Sequence, residues 1–544
     1  MKMQQPQQLI IVGGGTAGWL TACVIAAEHK AQAGIAASVK IQLIESPDIP
    51  TIGVGEGSWP SMRQTLQKIG ISETEFFRAC DVSPKQGSKF VHWLHAPQAA
   101  ASADEAYLHP FTVPAGYPDT ALALSFLHSP VAERGSYAAA MTPQGRLSLA
   151  GKAPKTIGTP DYQFMQNYGY HLNAGKFAAL LQRHATQVLG VEHIADTVTQ
   201  VQVSQGQIAG VTTSQHGLLQ ADFYIDCSGT QSLLLGGALA EPFISCKAML
   251  GNDRALALQL PYDLGGACDA PASAIFSNTV ATAQQAGWIW DISLPNRCGI
   301  GHVYASEFLS DEQAYANVLA YAERRLSACN HQFASASAQQ KHALLDGLMV
   351  KKLQINPGHY QRCMVGNCMA IGMAAGFIEP LEASALALVE WSAKTIAKAL
   401  PLHANARSRV ADRINQQFVK HWASIIDFLK LHYVLSQRDE PYWQMQRAMV
   451  PASLAKLLDL WQYQVPDVSD FPDAEQLFPA ASYSYVLYGM GFEPRWLRPL
   501  KSHEWLRSQQ LQAQLRHDVQ QLSQLLPDNA SLVTQIAAQG LSRL

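Results

Sequence analysis

The sequence predicts an α/β fold that opens on a βαβ unit and closes on a mainly helical region. Three observations predict it. Residues 8–12, QLIIV, form a short apolar run ending in glycines, which suits a buried parallel strand. A helical stretch from about Ala17 to Lys30 then leads into VKIQLIES, which alternates as a second strand and ends at Glu45. From about residue 405 onward the chain is rich in Gln and Leu at helical spacing.

The elements between these ends follow in order. Residues 100–170 are rich in Ala, Pro, Gly and Tyr and read as an insertion with loops. Residues 174–189 have a helical period. The run VTQVQVSQGQIAGVTTSQHGLLQADFYIDCSG reads as a β-meander that returns to a buried strand at 221–226. Residues 340–378 mix strands and glycine turns, and a long helix is expected from Pro380 to Ala399. The Gln/Leu stretch 508–526 reads as a surface helix. The expected organisation is a core over 1–400, with the insertion around 100–170, and a helical region over 401–544 packed on it.

Composition narrows the class. With 48% hydrophobic and 15% charged residues the 544-residue chain is a folded globular protein, not a disordered polyelectrolyte. A net charge of −3 gives no footprint for nucleic acid or an anionic membrane. Nine scattered cysteines without a CxxC pair predict a reducing compartment with neither a disulfide framework nor a metal site. The N-terminus runs straight into a strand without signal-peptide regions, and no apolar run is long enough to span a bilayer, so a cytoplasmic protein is expected.

Several motifs carry chemistry. GGGTAG places Gly13, Gly15 and Gly18 in GxGxxG spacing after a strand and at the start of a helix. Glycines there let the backbone approach a pyrophosphate, and the helix N-terminus offers free N–H groups. Glu45, 27 residues after Gly18, stands where a carboxylate accepts hydrogen bonds from the ribose. YIDCSGT, with Asp226 ending its strand, is similar to the late segment by which flavoprotein monooxygenases close around FAD. No second glycine fingerprint offers a nicotinamide site, so FAD is favoured over NAD, and the protein is not expected to reduce its own flavin. In TIGVGEGSWPSM, Gly53, Val54 and Gly55 form either a backbone approach to the cofactor or a plain turn before a helix. Lys85, in SPKQGSKFVHW, would by itself be a solvated surface residue. Trp288 and Trp290, in GWIWDISLPNRCGIGHVYAS, point to one side of a strand and fit core packing as well as a functional role. In FIEPLEASALAL, Glu379 and Glu382 lie in a stretch, Cys368 to Trp391, that contains no Lys or Arg. Buried carboxylates are costly unless they are paired or hydrogen-bonded.

Taken together, GGGTAGW, GVGE, Lys85 after proline, WIWDI and EPLE occur in one order and resemble the flavin-dependent halogenases of the tryptophan-halogenase type. YHLNAGKFA at 170–178 and DFLKLHY at 427–433 also fit, and the likeness covers roughly residues 9–445. The resemblance implies an FAD-binding, Rossmann-like fold of the flavin monooxygenase type with an added mainly helical substrate-binding region. It implies FAD used as FADH2 from a separate flavin reductase, with Thr16, Ala17, Met373 and Leu386 among the cofactor contacts. It also implies a flavin hydroperoxide that oxidises halide to hypohalous acid, and passage of that acid to Lys85 beside an electron-rich arene. Glu382 would assist by polarising the oxidant or taking the ring proton, and Trp288 and Trp290 would keep substrate away from the flavin.

Three features depart from the family pattern. Ser293 stands where the tryptophan motif has proline. Ala383-Ser384-Ala385 replaces Ser-Thr-Gly, so the halide contacts fall to Ser384 and Ala385, largely through backbone amides in the first turn of a helix opened at Pro380. No clamp for an amino-acid carboxylate and ammonium is evident. Tyr442 and Trp443 either stack on an indole or belong to the core. The expected substrate is therefore a simpler indole or another electron-rich arene rather than free tryptophan. A monooxygenase that has lost its halide site and a non-halogenating flavin-binding protein are the alternatives, and a homodimer is left open.

Overall fold

The computed structural model describes residues 6–30, 38–49, 55–97, 105–471 and 476–543. The chain divides into two compact units, each assembled from three segments. One comprises Met1–Cys80, Leu172–Cys246 and Asn356–Ala423; the other comprises Asp81–His171, Lys247–Ile355 and Ser424–Leu544. This interleaving differs from the consecutive 1–400 and 401–544 blocks expected from the sequence. Its cause is strand pairing between distant segments, which composition along the chain does not reveal.

The first unit is built on β1 (Gln7–Val12), α1 (Thr16–Glu28) and β2 (Val39–Glu45). β1 lies parallel to β2 on one side and to the strand Phe223–Asp226 on the other, with Leu9 opposite both Ile41 and Phe223. The six-stranded sheet is completed by Glu192–Ala195 beyond β2 and by Cys368–Ala370 and Met364–Val365 beyond Phe223–Asp226. Ile10, Val12, Ile44, Ile194, Tyr224 and Leu234 pack together on it. α1 contacts the helices Ser384–Ala399 and Ala174–Gln187. Burial on several sides explains why its sequence is apolar nearly all round. The expected meander forms as Val198–Ser204, Gln207–Thr213 and Gly217–Leu219, paired antiparallel.

The second unit carries a seven-stranded sheet in the order Val350–Gln354, Arg254–Pro261, Arg297–Tyr304, Gly287–Ser293, Thr279–Gln284, Gly87–Val91, Ala106–Pro110. Trp290 lies opposite Gly301, and a Cβ at Gly301 would collide with the indole ring. The described part of 100–170 is more regular than the expected loops. It adds the edge strand Ala106–Pro110 and the helices Ala121–His128 and Tyr137–Met141. Alanine favours helix there, and Gly145 lets backbone close against the Ala138 carbonyl, where a Cβ would not fit. The helix Asp311–Ser327 opens on a capping box made by Ser310 and Gln313. Helices Ser502–Leu525 and Asn529–Gln539 close the chain as expected. Among the described residues no helix is long and apolar enough to cross a membrane.

Candidate active site

The carboxyl edge of the parallel sheet gathers Gly13, Gly15, Gly18, Glu45, Asp226 and Met373. Open α/β sheets bind ligands at this edge. Here the turns after β1, Phe223–Asp226 and Cys368–Ala370 are tied strand to strand. Gly13 N–H donates to the Ile44 carbonyl (2.9 Å), Cys227 N–H to Val12 (2.8 Å) and Ile371 N–H to Asp226 (2.9 Å). Each glycine of the fingerprint has a separate cause. Gly13 has φ +113°, and a Cβ would strike the Cys227 carbonyl. A Cβ at Gly18 would strike the Gly13 carbonyl, and one at Gly14 would strike the Glu45 side chain. Gly15, by contrast, faces open space within 4 Å, at the N-cap of α1. No acidic residue lies in that helix's first turn and no side chain caps it. The N–H groups of Thr16, Ala17 and Gly18 are therefore open to an anion, and the cradle fits the pyrophosphate of FAD.

Glu45 ends β2 beside this turn. Its Oε2 lies 3.1 Å from His193 Nε2, and the Trp19 side chain hydrogen-bonds it. Burial raises its pKa, against the lowering effect of His193. Asp226 is fully buried. Its oxygens accept from Ser228 N–H (3.0 Å), Ser228 Oγ (2.5 Å), Leu234 N–H (2.8 Å) and Leu235 N–H (2.9 Å). Asp226 thus shapes the turn after its strand. Met373 lies in the short turn Gly372–Ala374, where Gly372 is pressed against Ala17 and Val389. Gly53 and Val54 lie outside the described residues; Gly55 begins the short strand Gly55–Gly57.

The EPLE segment departs from the expected helix. Glu382 (φ +62°) and Ala383 (φ +54°) are both left-handed, so the helix starts at Ser384 and not at Pro380. A tight turn over Leu381–Ala383 precedes it. Each such residue costs about 1–2 kcal/mol for an L-amino acid, so the surroundings must hold it. Trp59 does so in part, because its indole N–H donates to the Glu382 carbonyl at 2.8 Å. Glu379 and Glu382 are both buried. Ser384 and Ala385 become the first two helical residues, with no side-chain cap and no acid in the first turn. Their N–H groups have no partner within the helix. Leu386 is buried behind them. Glu390 is explained structurally: it accepts from Ser61 Oγ (3.0 Å), from Thr65 Oγ1 and from Lys394 Nζ (3.3 Å).

Lys85, in the second unit, is fully buried, not the surface residue that lysine would be by default. It lies in the strand Ser83–Lys85, antiparallel to 169–171, with Gly169 directly opposite. Its ammonium is 5.3 Å from the centroid of the Phe111 ring. Trp288 and Trp290 are buried with ring centroids 6.4 Å apart. Tyr442 and Trp443 are core residues. Tyr442 Oη donates to Asn252 Oδ1 (3.0 Å), Trp443 Nε1 donates to the Gln284 carbonyl (2.9 Å), and Trp443 is 0% exposed. Both rings are buried and hydrogen-bonded within the second unit, which fits the packing reading; burial by itself does not separate it from a substrate contact, since Lys85 and Trp288 are equally buried.

Sequence reasoning missed several residues. Gly14 and His193 complete the setting of Glu45. Asp291 and Arg325 form a buried ion pair at 2.7 Å, and the signal was an Asp inside the apolar run WIWDIS. Glu56, in GVGE, has a buried Oε2 without a hydrogen-bond partner, and burial pushes its pKa up to about 7. Among the described residues no cluster of His, Cys, Asp and Glu is arranged to hold a metal ion.

Two outcomes follow from this geometry. Gly15→Ala meets no atom, so unfolding stability should change by no more than about 1 kcal/mol, whereas flavin affinity, read by fluorescence titration, should fall at least about tenfold. For Glu56 the folded pKa lies above the unfolded one, so the folded state binds the extra proton between about pH 4.5 and 7 and stability falls as pH rises through that window. Glu56→Gln should therefore raise the thermal midpoint more at pH 8 than at pH 5.

A family model for tryptophan halogenases matches residues 8–504. The 7-chloro-L-tryptophan 6-halogenase KtzR of Kutzneria sp. is 31% identical over 507 residues, 89% of this chain and 90% of its own. The crystal structure of a tryptophan halogenase from Shewanella frigidimarina has 46% identity and a TM-score of 0.90 over 100% of both chains. Tar14, a tryptophan C-6 flavin-dependent halogenase (chlorinase) from taromycin biosynthesis, has 29% identity and a TM-score of 0.83 over 98% of this chain and 100% of its own. The chain belongs to the tryptophan halogenase family and is a flavin-dependent halogenase.

Proposed function

We propose that the chain halogenates an electron-rich indole by delivering hypohalous acid to Lys85. Tryptophan is the first substrate to test, ahead of the simple indole expected from sequence, because KtzR and Tar14 carry tryptophan in their names. The observation that carries the reading is the complete burial of Lys85 beside Phe111. An oxidant as indiscriminate as hypohalous acid is controlled by a water-excluding site with a single strong donor.

The roles are these. Gly13, Gly15, Thr16, Ala17 and Gly18 hold the pyrophosphate, Glu45 the ribose, and Met373 and Leu386 flank the flavin. Bound FADH2, supplied by a separate reductase, would reduce molecular oxygen to the activated form that oxidises chloride or bromide. The N–H groups of Ser384 and Ala385 hold the halide, since an anion suits an uncapped helix start. The Lys85 ammonium hydrogen-bonds the oxygen of the hypohalous acid, leaving the halogen electrophilic. The aryl carbon bonds the halogen as the oxygen–halogen bond breaks, the oxygen leaves as water with a proton from the Lys85 ammonium, and Glu382 takes the ring proton. Trp288 and Trp290 serve as a rigid aromatic wall against ordinary oxygenation.

The test supplies reductase, NADH, FAD, tryptophan or indole, and NaBr or NaCl, with products read by mass spectrometry. A halogen isotope pattern is expected, reduced roughly a hundredfold or more in Lys85→Met, which keeps the apolar stem. A product one oxygen heavier and without halogen, or full halogenation by Lys85→Met, would contradict the reading.

A further inference from the structure

Ser293 departs from the proline of the family motif, and its surroundings give a reason. On the strand Gly287–Ser293 side chains alternate. Trp288, Trp290 and Ile292 share one face; Asp291 and Ser293 share the other. On that second face lies the buried guanidinium of Arg325, from the helix Asp311–Ser327. Its Nε donates to Asp291 Oδ2 at 2.7 Å, one terminal nitrogen donates to the Ser273 carbonyl at 2.9 Å, and the other donates to the Ala274 carbonyl and, at 3.3 Å, to Ser293 Oγ. Tyr321 Oη also reaches Asp291 Oδ2, at 3.3 Å, and the Phe276 ring lies 3.8 Å from the guanidinium carbon. Proline would offer no oxygen to that last donor.

Ser293 also reaches the strand that carries Lys85. The Ser83 hydroxyl donates to the Ser293 carbonyl at 2.5 Å. Ser83 and Lys85 are two residues apart on one strand, so their side chains share a face. His171 lies opposite Ser83 in the ladder and on that same face. Its Nε2 is 2.8 Å from Thr279 Oγ1, and its ring lies against the Ser293 backbone. Burial, and then the charge of Lys85, hold His171 well below its usual pKa, so it stands beside the ammonium as a neutral ring. Asn529 Nδ2 donates to the Pro84 carbonyl at 3.2 Å, and Gln86 N–H to Ser277 at 2.7 Å.

We propose that Asp291, Arg325 and Ser293 form a positioning network that sets Lys85 through the Ser83–Ser293 hydrogen bond. The inference rests on the reading of Lys85 as the residue that receives the oxidant. Movement of its strand would leave the ammonium short of the hypohalous acid, and oxidant would escape without reaching the arene. The network changes where the oxidant goes, whereas flavin binding lies in other residues.

The experiment uses full-length enzyme with reductase, FAD, NaBr and tryptophan, with indole as a second arene. It measures halogenated product against hypobromous acid captured by a diketone trap in solution. Ser83→Ala and Ser293→Ala each remove one hydroxyl and leave the Asp291–Arg325 pair intact, so folding is retained. Each should lower the ratio of product to trapped oxidant roughly fivefold, the scale of one lost buried hydrogen bond, with flavin affinity unchanged. Ser83→Thr, which keeps the hydroxyl, should restore the ratio. An unchanged ratio in both alanine variants, with Lys85→Met inactive, would overturn the network while leaving the role of Lys85 standing. Undiminished halogenation by Lys85→Met would overturn both.

Discussion

Two consecutive left-handed residues, Glu382 and Ala383, are the constraint on which the rest of the proposed site depends. They halt the backbone after Leu381 and restart it as a helix at Ser384. That restart places the unbonded N–H groups of Ser384 and Ala385 at a helix N-terminus, where anions are favoured. It also buries Glu382 at a defined point of the turn. Nothing in the intrinsic preferences of Glu or Ala favours this conformation. It persists because the first unit holds it from outside, with Trp59 gripping the Glu382 carbonyl. The altered sequence Ala383-Ser384-Ala385 is therefore compatible with an anion site made of main chain, since the geometry is set by backbone and not by the side chains that differ.

The same logic governs the cofactor cradle. Gly13, Gly14 and Gly18 are required by neighbouring atoms of the fold, whereas Gly15 alone faces open space. Three glycines serve the approach of strand, helix and Glu45 to one another, and the fourth leaves the helix start open. In the second unit, Lys85 is fully buried, its strand is held through the Pro84 carbonyl, and an aromatic ring lies near its ammonium. Burial of the Arg325–Asp291 pair is expensive unless each donor is used, and three carbonyl or hydroxyl groups take up what Asp291 does not.

Much of this was legible in the sequence. The βαβ start, the meander and the helix 174–187 follow from periodicity and glycine placement, and the family follows from five motifs in one order. The site was legible only where chemistry is local. The place of Glu45 at a strand end and of Gly15 before a helix could be read from spacing, but the hydrogen bonds of Asp226 to its own turn could not, because a carboxylate closing a loop and one binding a ribose look alike in a string. The helix start at Ser384 was misplaced because Pro380 is a good first helical residue and left-handed φ leaves no mark on Glu or Ala. The burial of Tyr442 and Trp443, and the Asp291–Arg325 pair, depend on contacts between residues far apart in the chain.

The most direct measurement is the halide KM of Trp59→Phe, which removes the N–H that holds the Glu382 carbonyl. If the left-handed turn sets the halide site, KM for bromide should rise about tenfold, the scale of one strong buried hydrogen bond, with flavin affinity unchanged. An unaltered halide KM in a folded, flavin-binding Trp59→Phe enzyme would contradict the account.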